Sequence, residues 1–262
     1  VALRMDDKCR CSAGSNRRSN PILFNILSRM DSSKPSQSGL SYASTPHRCS
    51  CEQRRTVCLR SPSEVCKKAT AVLVKTVQFM KNLPAFNQMP PDDQFSLLRS
   101  GWAPLFILGL AQERVDFEVT DSPADSMLKR ILLNRQEGPG PEREQPTMAG
   151  VCKLRSCLKK FWSLDLSPKE YAYLKGTAIF NPDVPDLKAG VFVESLQQEA
   201  QHALREVVLL LHRGDGERFA RILLTASVLQ SITPGLISEL FFRPVIGQAD
   251  LLELMVDMLF FR

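Results

Sequence analysis

One stretch of this sequence is apolar on almost every side when wound into a helix, and it limits how the chain can fold. The stretch, Ala103 to Ala111, ends a helix that we expect to run from Pro91 to Leu110. Such a helix is stable only where other segments cover it on all sides. Because Pro104 and Gly109 interrupt it, it falls short of the ~18 apolar residues of a membrane helix. We therefore expect a globular domain around this helix.

Apolar residues spaced by three and four positions predict further helices around the central one. Two helix starts, Ser61–Glu64 and Ser167–Glu170, carry a capping signature, and Asp250 with Glu253 has the same spacing. The other predicted helices run from Ser61 to Pro84, about Val151 to Trp162, Pro168 to about Phe180, about Leu187 to His212, about Glu217 to Phe242 and about Asp250 to Phe261, with one more opening at Ser122.

Only one segment has the alternation of a strand, through Val115, Phe117 and Val119. About nine helices and one short strand predict an all-α fold in which helices pack in layers.

The first 60 residues differ in composition from the rest. They are rich in Ser, Arg, Pro and Cys with little apolar periodicity, which indicates a disordered or conditionally folded tail. The net charge of +6 is concentrated here, in pairs such as Arg17-Arg18 and Arg54-Arg55. Since no aromatic residues interleave with these cations, a solvated tail is favoured over a nucleic acid contact. The predicted domains are a tail over 1–60 and a helical domain over 61–262.

No pattern indicates an active site. None of the three histidines stands in a nucleophile arrangement, and no glycine-rich phosphate loop is present, so an enzyme is not expected. A thiolate zinc site is conceivable from Cys9, Cys11, His47, Cys49, Cys51, Cys58 and Cys66, but the C-x-C spacing favours free thiols. Irregular cysteine spacing without a secretory apolar segment indicates a reducing compartment, cytosol or nucleus. We expect no metal and no cofactor.

Two short segments share the pattern Leu-x-x-Ile-Leu. The first consists of Leu23, Ile26 and Leu27, and the second of Leu128, Ile131 and Leu132. Apolar residues at i, i+3 and i+4 share one helix face, which either joins a core or fills a partner's groove. The first box lies in a polar tail, which favours the groove, whereas the second, inside the predicted domain, remains open between the two.

Three motifs resemble, in the same order, the ligand-binding domain of nuclear receptors. The first is Phe79 to Trp102, with Phe79, Lys81, Pro84, Phe86, Asp93, Gln94, Leu97, Leu98 and Trp102. The second is Ser167 to Leu187, and the third is the terminal Leu254 to Leu259, which resembles the family's activation helix. The resemblance implies a layered helical sandwich of the ligand-binding-domain type with a short β element.

The paired C-x-x-C ligands of the family's DNA-binding module are absent from this sequence. The chain therefore resembles the atypical nuclear receptors that lack that module. A brief, unrepeated N-terminal tail favours the branch without long cysteine-rich repeats.

The resemblance also implies a groove that binds a coregulator helix. Lys81 takes the position of the basic clamp, Arg99 a second basic position and Asp257 the acidic one, which matches the dipole of a bound helix. The implied groove floor is Val77, Phe95, Leu98, Leu254 and Met258. Because most activating receptors carry Glu where this chain has Asp257, its reach is shorter, which is compatible with repression.

The function implied is that of a transcriptional corepressor without direct sequence-specific DNA binding or membrane attachment. It would bind other nuclear receptors through its Leu-x-x-Ile-Leu boxes, compete with coactivators and recruit corepressor and histone-modifying complexes, in the nucleus and also in the cytoplasm. The alternative is a ligand-gated sensor of a small lipophile. Phe106, Phe117 and Phe180 are bulky enough to fill the ligand pocket, but the sequence does not determine whether that pocket is open, so no ligand is assigned.

Overall fold

Helix α3 (Pro91–Gln112) lies at the centre of the fold, as its composition predicts. The computed structural model describes residues 55–123 and 146–260. Every side chain from Gly101 to Ala111 is buried. The other elements before the long C-terminal segment are β1 (Arg55–Leu59), α1 (Pro62–Lys81), α2 (Pro84–Asn87), β2 (Val119–Pro123), α4 (Met148–Leu164), α5 (Pro168–Ile179) and α6 (Gly190–Leu211).

Helices α1, α4 and α5 all pack against α3, and α6 packs against α5. The crossing of α1 with α3 is close because α3 has a glycine there: a Cβ atom on Gly109 would lie 2.6 Å from Cγ1 of Val72. The predicted all-α layered fold with a short β element is confirmed.

The β element is a two-stranded antiparallel sheet in which Leu59 of β1 is opposite Val119 of β2. The predicted strand around Val115 to Val119 is only partly correct, because Val115 and Phe117 are buried in a segment without regular secondary structure ahead of β2. Strand β1 was not predicted, and it lies ahead of residue 61, where the sequence places the start of the domain. A five-residue strand shows too little alternation to be recognised, although Val57 and Leu59 pack into the core.

The predicted single helix from Glu217 to Phe242 is wrong. The segment forms α7 (Arg218–Ser227), a 3₁₀ turn (Val228–Ser231), α8 (Pro234–Ile237), a π-helical turn (Ser238–Phe242) and α9 (Arg243–Ile246). The chain bends by 78° because Pro234 cannot continue the preceding hydrogen bonds. Thr233 caps the new start by accepting a hydrogen bond from the Leu236 amide.

Within the described ranges, no single helix is long and apolar enough to cross a membrane. Only the two halves of this bent segment, taken together, satisfy that test.

The two complete capping signatures behave differently. At Ser167 the box forms: the Ser167 amide donates to Oε2 of Glu170 at 2.7 Å, and the Glu170 amide donates to Oγ of Ser167 at 3.3 Å. Ser61 makes no side-chain capping bond. Asp250 accepts from the Leu252 amide at 2.8 Å, ahead of the last helix, α10 (Leu251–Phe260).

The lowered pKa of Glu170 predicts how the free energy of unfolding of this protein depends on acidic pH. Burial of this carboxylate acts to raise its pKa, but hydrogen bonds from Arg218 and Ser167 outweigh it and hold the pKa below its usual range. The folded pKa is therefore below the unfolded one, so the stabilising contribution is complete above about pH 4.3 and is lost as the pH falls further.

Urea unfolding over a series from about pH 6 to about pH 3 tests this, because the free energy of unfolding should fall more steeply for the wild type than for Glu170→Gln. Equal slopes would contradict the assignment to Glu170.

Candidate functional site

Lys81, the predicted basic end of the groove, is the last residue of α1. Its backbone carbonyl accepts a hydrogen bond from Nδ2 of Asn87 at 2.7 Å, so the position where α1 ends is fixed by α2. The side chain is half-buried. In the part of the chain that the structure describes, no acceptor or acid pairs with its ammonium group, which leaves the charge available to a partner.

The other two predicted charges are equally available. Arg99 lies on α3 and Asp257 on α10, and both are exposed. Neither makes an ion pair or side-chain hydrogen bond with residues 55–123 or 146–260. Several other exposed charges are paired, as Arg60 is with Glu118. A helix that binds here would thus meet uncommitted charges of both signs.

The predicted groove floor divides into a surface part and a core part. Phe95 and Leu254 are 40% and 37% exposed, and Met258 is half-buried. Val77 and Leu98 are only 2% and 0% exposed, so they support the surface from beneath. A partner helix would therefore contact Phe95, Leu254 and Met258 directly, whereas Val77 and Leu98 do not present a contact surface.

The terminal helix α10 is docked on its own domain. Leu251, Met255 and Leu259, spaced by four, are buried, and α10 packs against α1. The docked face leaves Leu254 exposed and Met258 half-exposed, four residues apart on another side of the helix. The docking therefore leaves Leu254 and Met258 accessible, two of the residues that the family resemblance places in the groove.

Aromatic side chains pack against one another in the interior of the domain. Phe106, fully buried, has its ring centroid 5.3 Å from that of Phe242 and 5.9 Å from that of Phe241, while Phe117 is 5.1 Å from Phe241. Trp102 lies 6.4 Å from Phe106. We call these five residues the aromatic cluster.

Phe180 was also expected to occupy the ligand pocket. It is buried, but it is not part of the aromatic cluster. Two surface depressions of about 300 and 490 Å³ lie along α4, and no residue of the aromatic cluster lines either of them.

Two of the cysteines considered as zinc ligands are described. Cys58 is exposed on β1, and Cys66 is buried in α1. Burial raises the pKa of the Cys66 thiol, which makes it a poor source of the thiolate that zinc needs. Among the described residues no group of His, Cys, Asp and Glu has the arrangement of a metal site. Cys9, Cys11, His47, Cys49 and Cys51 lie outside the described residues.

Both Leu-x-x-Ile-Leu boxes, with Leu23, Ile26 and Leu27 and with Leu128, Ile131 and Leu132, also lie outside the described residues. Their assignment as partner-binding helices stays a prediction.

Two charged residues ahead of α10 were not predicted from the sequence. Glu239 and Arg243 form a half-buried ion pair with 2.7 Å between Oε1 and Nη2, and Nη1 of Arg243 donates to the Gly247 carbonyl. The sequence signal that could have identified this pair is an acid and an arginine at i, i+4 spacing ahead of a glycine. Phe241 and Phe242 were missed as interior residues because they were assigned to a regular helix.

Comparison with known proteins agrees with the fold, and the groove residues stay a prediction. A family model described as the ligand-binding domain of nuclear hormone receptor matches residues 52–246. Nuclear receptor subfamily 0 group B member 2 of Homo sapiens, the small heterodimer partner, is 47% identical over 260 residues, which cover 97% of each chain. The Rattus norvegicus protein of the same name is also 47% identical, over 259 residues.

A longer relative, nuclear receptor subfamily 0 group B member 1 of Sus scrofa, is 41% identical over 229 residues, which are 80% of this chain and 48% of that protein. The resemblance on which the sequence analysis relied is confirmed by these matches. The chain therefore belongs to the nuclear receptor family, within subfamily 0 group B.

Proposed function

We propose that this protein is a transcriptional corepressor that acts on other nuclear receptors. Nuclear receptors are in general not enzymes and act mainly in the nucleus, and the group B relatives lack a DNA-binding domain. In this proposal the protein reaches DNA through its partners and is present in the nucleus and also in the cytoplasm. The predicted tail, which carries one box, ends ahead of β1, and the receptor-like domain, predicted from residue 61, includes β1 as well.

The proposal assigns the two partner-binding elements different tasks. The boxes with Leu27 and Leu132 enter the coactivator grooves of other receptors and so exclude activators by competition. The protein's own groove, with Lys81 and Asp257 at its ends, recruits corepressor and histone-modifying complexes.

The observation that carries this proposal is that α10 packs against α1, while Lys81 of α1 and Asp257 of α10 have no ion-pair partner among residues 55–123 and 146–260. The aromatic cluster packs in the core of the same domain. This supports a protein that binds coregulators without first binding a small ligand, in contrast to a ligand-gated sensor.

The test is binding to purified ligand-binding domains of other nuclear receptors, with Leu27→Ala and Leu132→Ala made singly and together. A leucine at the centre of a helix-in-groove contact should cost about 2 kcal/mol or more of binding free energy when truncated. The matched controls are Asn25→Ala and Lys129→Ala, which lie inside the same boxes between the apolar positions.

Thermal melting of each variant separates binding from folding. Loss of binding with an unchanged melting temperature supports the proposal. If Leu132→Ala only lowers the melting temperature and Leu27→Ala changes nothing, the second box packs in the core and the first lies in a tail without a binding role. The corepressor mechanism is then wrong.

A further inference from the structure

The connection that leads into α10 is short and tightly held. It runs from α9 through Gly247 to Asp250, and α10 begins at Leu251. Gly247 has φ +61° and ψ −118°, a conformation that residues with a Cβ atom avoid. The direction in which the chain leaves α9 is therefore set at this one residue.

Both backbone polar groups of Gly247 are bound by the same residue, Arg243. The Gly247 amide donates to the Arg243 carbonyl at 3.1 Å, and the Gly247 carbonyl accepts from Nη1 of Arg243. Hydrogen bonds on both sides of the Gly247 Cα atom therefore hold this backbone conformation.

The Arg243 side chain is half-buried and is held by Glu239. Nε and Nη2 donate to Oε1 of Glu239 at 3.1 and 2.7 Å, and the two side chains are 29% and 18% exposed. Glu239 belongs to the π-helical turn, whose Phe241 and Phe242 are buried in the aromatic cluster. The π-helical turn, α9 and α10 all pack against α1.

We propose that Glu239 and Arg243 are positioning residues for the coregulator groove: they hold the turn at Gly247 so that α10 stays docked on α1. The inference rests on the proposed function in one respect, namely that the docked α10 forms part of a groove that binds a coregulator helix. Asp250, whose carboxylate accepts from the Leu252 amide, then begins α10 in the orientation that the turn has set.

The planar guanidinium is needed because it binds two acceptors in different directions at once. Arg243→Lys keeps the charge but has a single compact head group, which cannot bridge Glu239 and the Gly247 carbonyl together. Glu239→Gln removes the charge that holds the guanidinium in place. Both changes should leave the core helices packed and increase the undocked fraction of α10.

The experiment measures two quantities on the full chain. The first is hydrogen exchange of the amides of residues 251–260, compared with those of α1 and α3. The second is the affinity for a fluorescent synthetic peptide that contains one Leu-x-x-Leu-Leu helix. If the docked fraction falls to about a tenth, the apparent affinity should fall about tenfold. The control is Arg221→Lys, because Arg221 on the exposed side of α7 forms another arginine–carboxylate pair, with Asp215 ahead of that helix.

We expect faster exchange confined to α10 and weaker peptide binding in Arg243→Lys and Glu239→Gln, with Arg221→Lys unchanged. Unchanged exchange in α10, or a uniform rise across all helices, would overturn the inference, since the pair would then be dispensable or only generally stabilising.

Lys81→Ala separates this inference from the proposed function. If the wild type binds the peptide no better than Lys81→Ala does, the proposed groove fails, and exchange in α10 alone decides whether the pair holds the helix.

Discussion

Replacing Arg218 with methionine is expected to lower the free energy of unfolding by about 3–5 kcal/mol, the loss typical of removing one partner from a buried ion pair. Glu170 is 0% exposed, and Nε of Arg218 donates to its Oε1 at 2.9 Å. Nη2 of Arg218 also donates to the Asp165 carbonyl at 3.3 Å. The variant would leave a charged carboxylate in the core without its counter-ion and would disconnect the start of α7 from the start of α5.

Urea unfolding near neutral pH measures this loss. The matched control is Arg221→Met, because Arg221 also pairs with an acid but its side chain is 45% exposed, so it should cost less than about 1 kcal/mol. Adding Glu170→Gln to Arg218→Met should recover part of the stability, since no buried charge then remains. Equal losses from Arg218→Met and Arg221→Met would show that Glu170 is solvated despite its burial.

Phe106→Ala is expected to destabilise the protein by about 3–5 kcal/mol, because it removes a large side chain from a closed interior and leaves a cavity. Phe106 is fully buried and contacts the rings of Trp102, Phe241 and Phe242. The cavity would lie among apolar groups, so it should stay dry and accept a small apolar molecule such as benzene.

Thermal melting with and without benzene tests this prediction. The melting temperature of Phe106→Ala should rise with benzene, whereas that of the wild type should not change. Phe106→Leu is the matched control and should lose less stability, because it leaves a smaller void. A wild type that gains stability from benzene, or that releases a lipid identified by mass spectrometry, would contradict a filled interior and favour the ligand-gated sensor.

Local signals in the sequence were sufficient to predict secondary structure where no tertiary contact competed with them. The all-round apolar stretch of α3 and the capping box at Ser167 are examples. The same signature at Ser61 did not form a cap, because only Arg60 separates Ser61 from the end of β1. The neighbouring Arg60 amide donates to the Glu118 carbonyl at 2.9 Å, which extends the strand pairing to the helix start.

In the bent C-terminal segment, by contrast, the local signal was correct but the prediction did not follow it. Pro234 was a local signal for a break, but apolar periodicity continues on both sides of it and favoured one long helix. The π-helical turn then buries Leu240, Phe241 and Phe242, three consecutive residues, which a regular helix would not direct to one side.

The sequence by itself determined the helical composition, the order of the motifs and the identity of the charged residues Lys81, Arg99 and Asp257. The tertiary structure decided which apolar residues of the proposed groove reach the surface: Phe95 and Leu254 do, and Val77 and Leu98 do not. It also decided that α10 is docked and that five aromatic side chains pack together in the core. These properties depend on contacts between segments distant in the chain, as between Phe106 and Phe241, and helical periodicity specifies an apolar face without specifying what covers it.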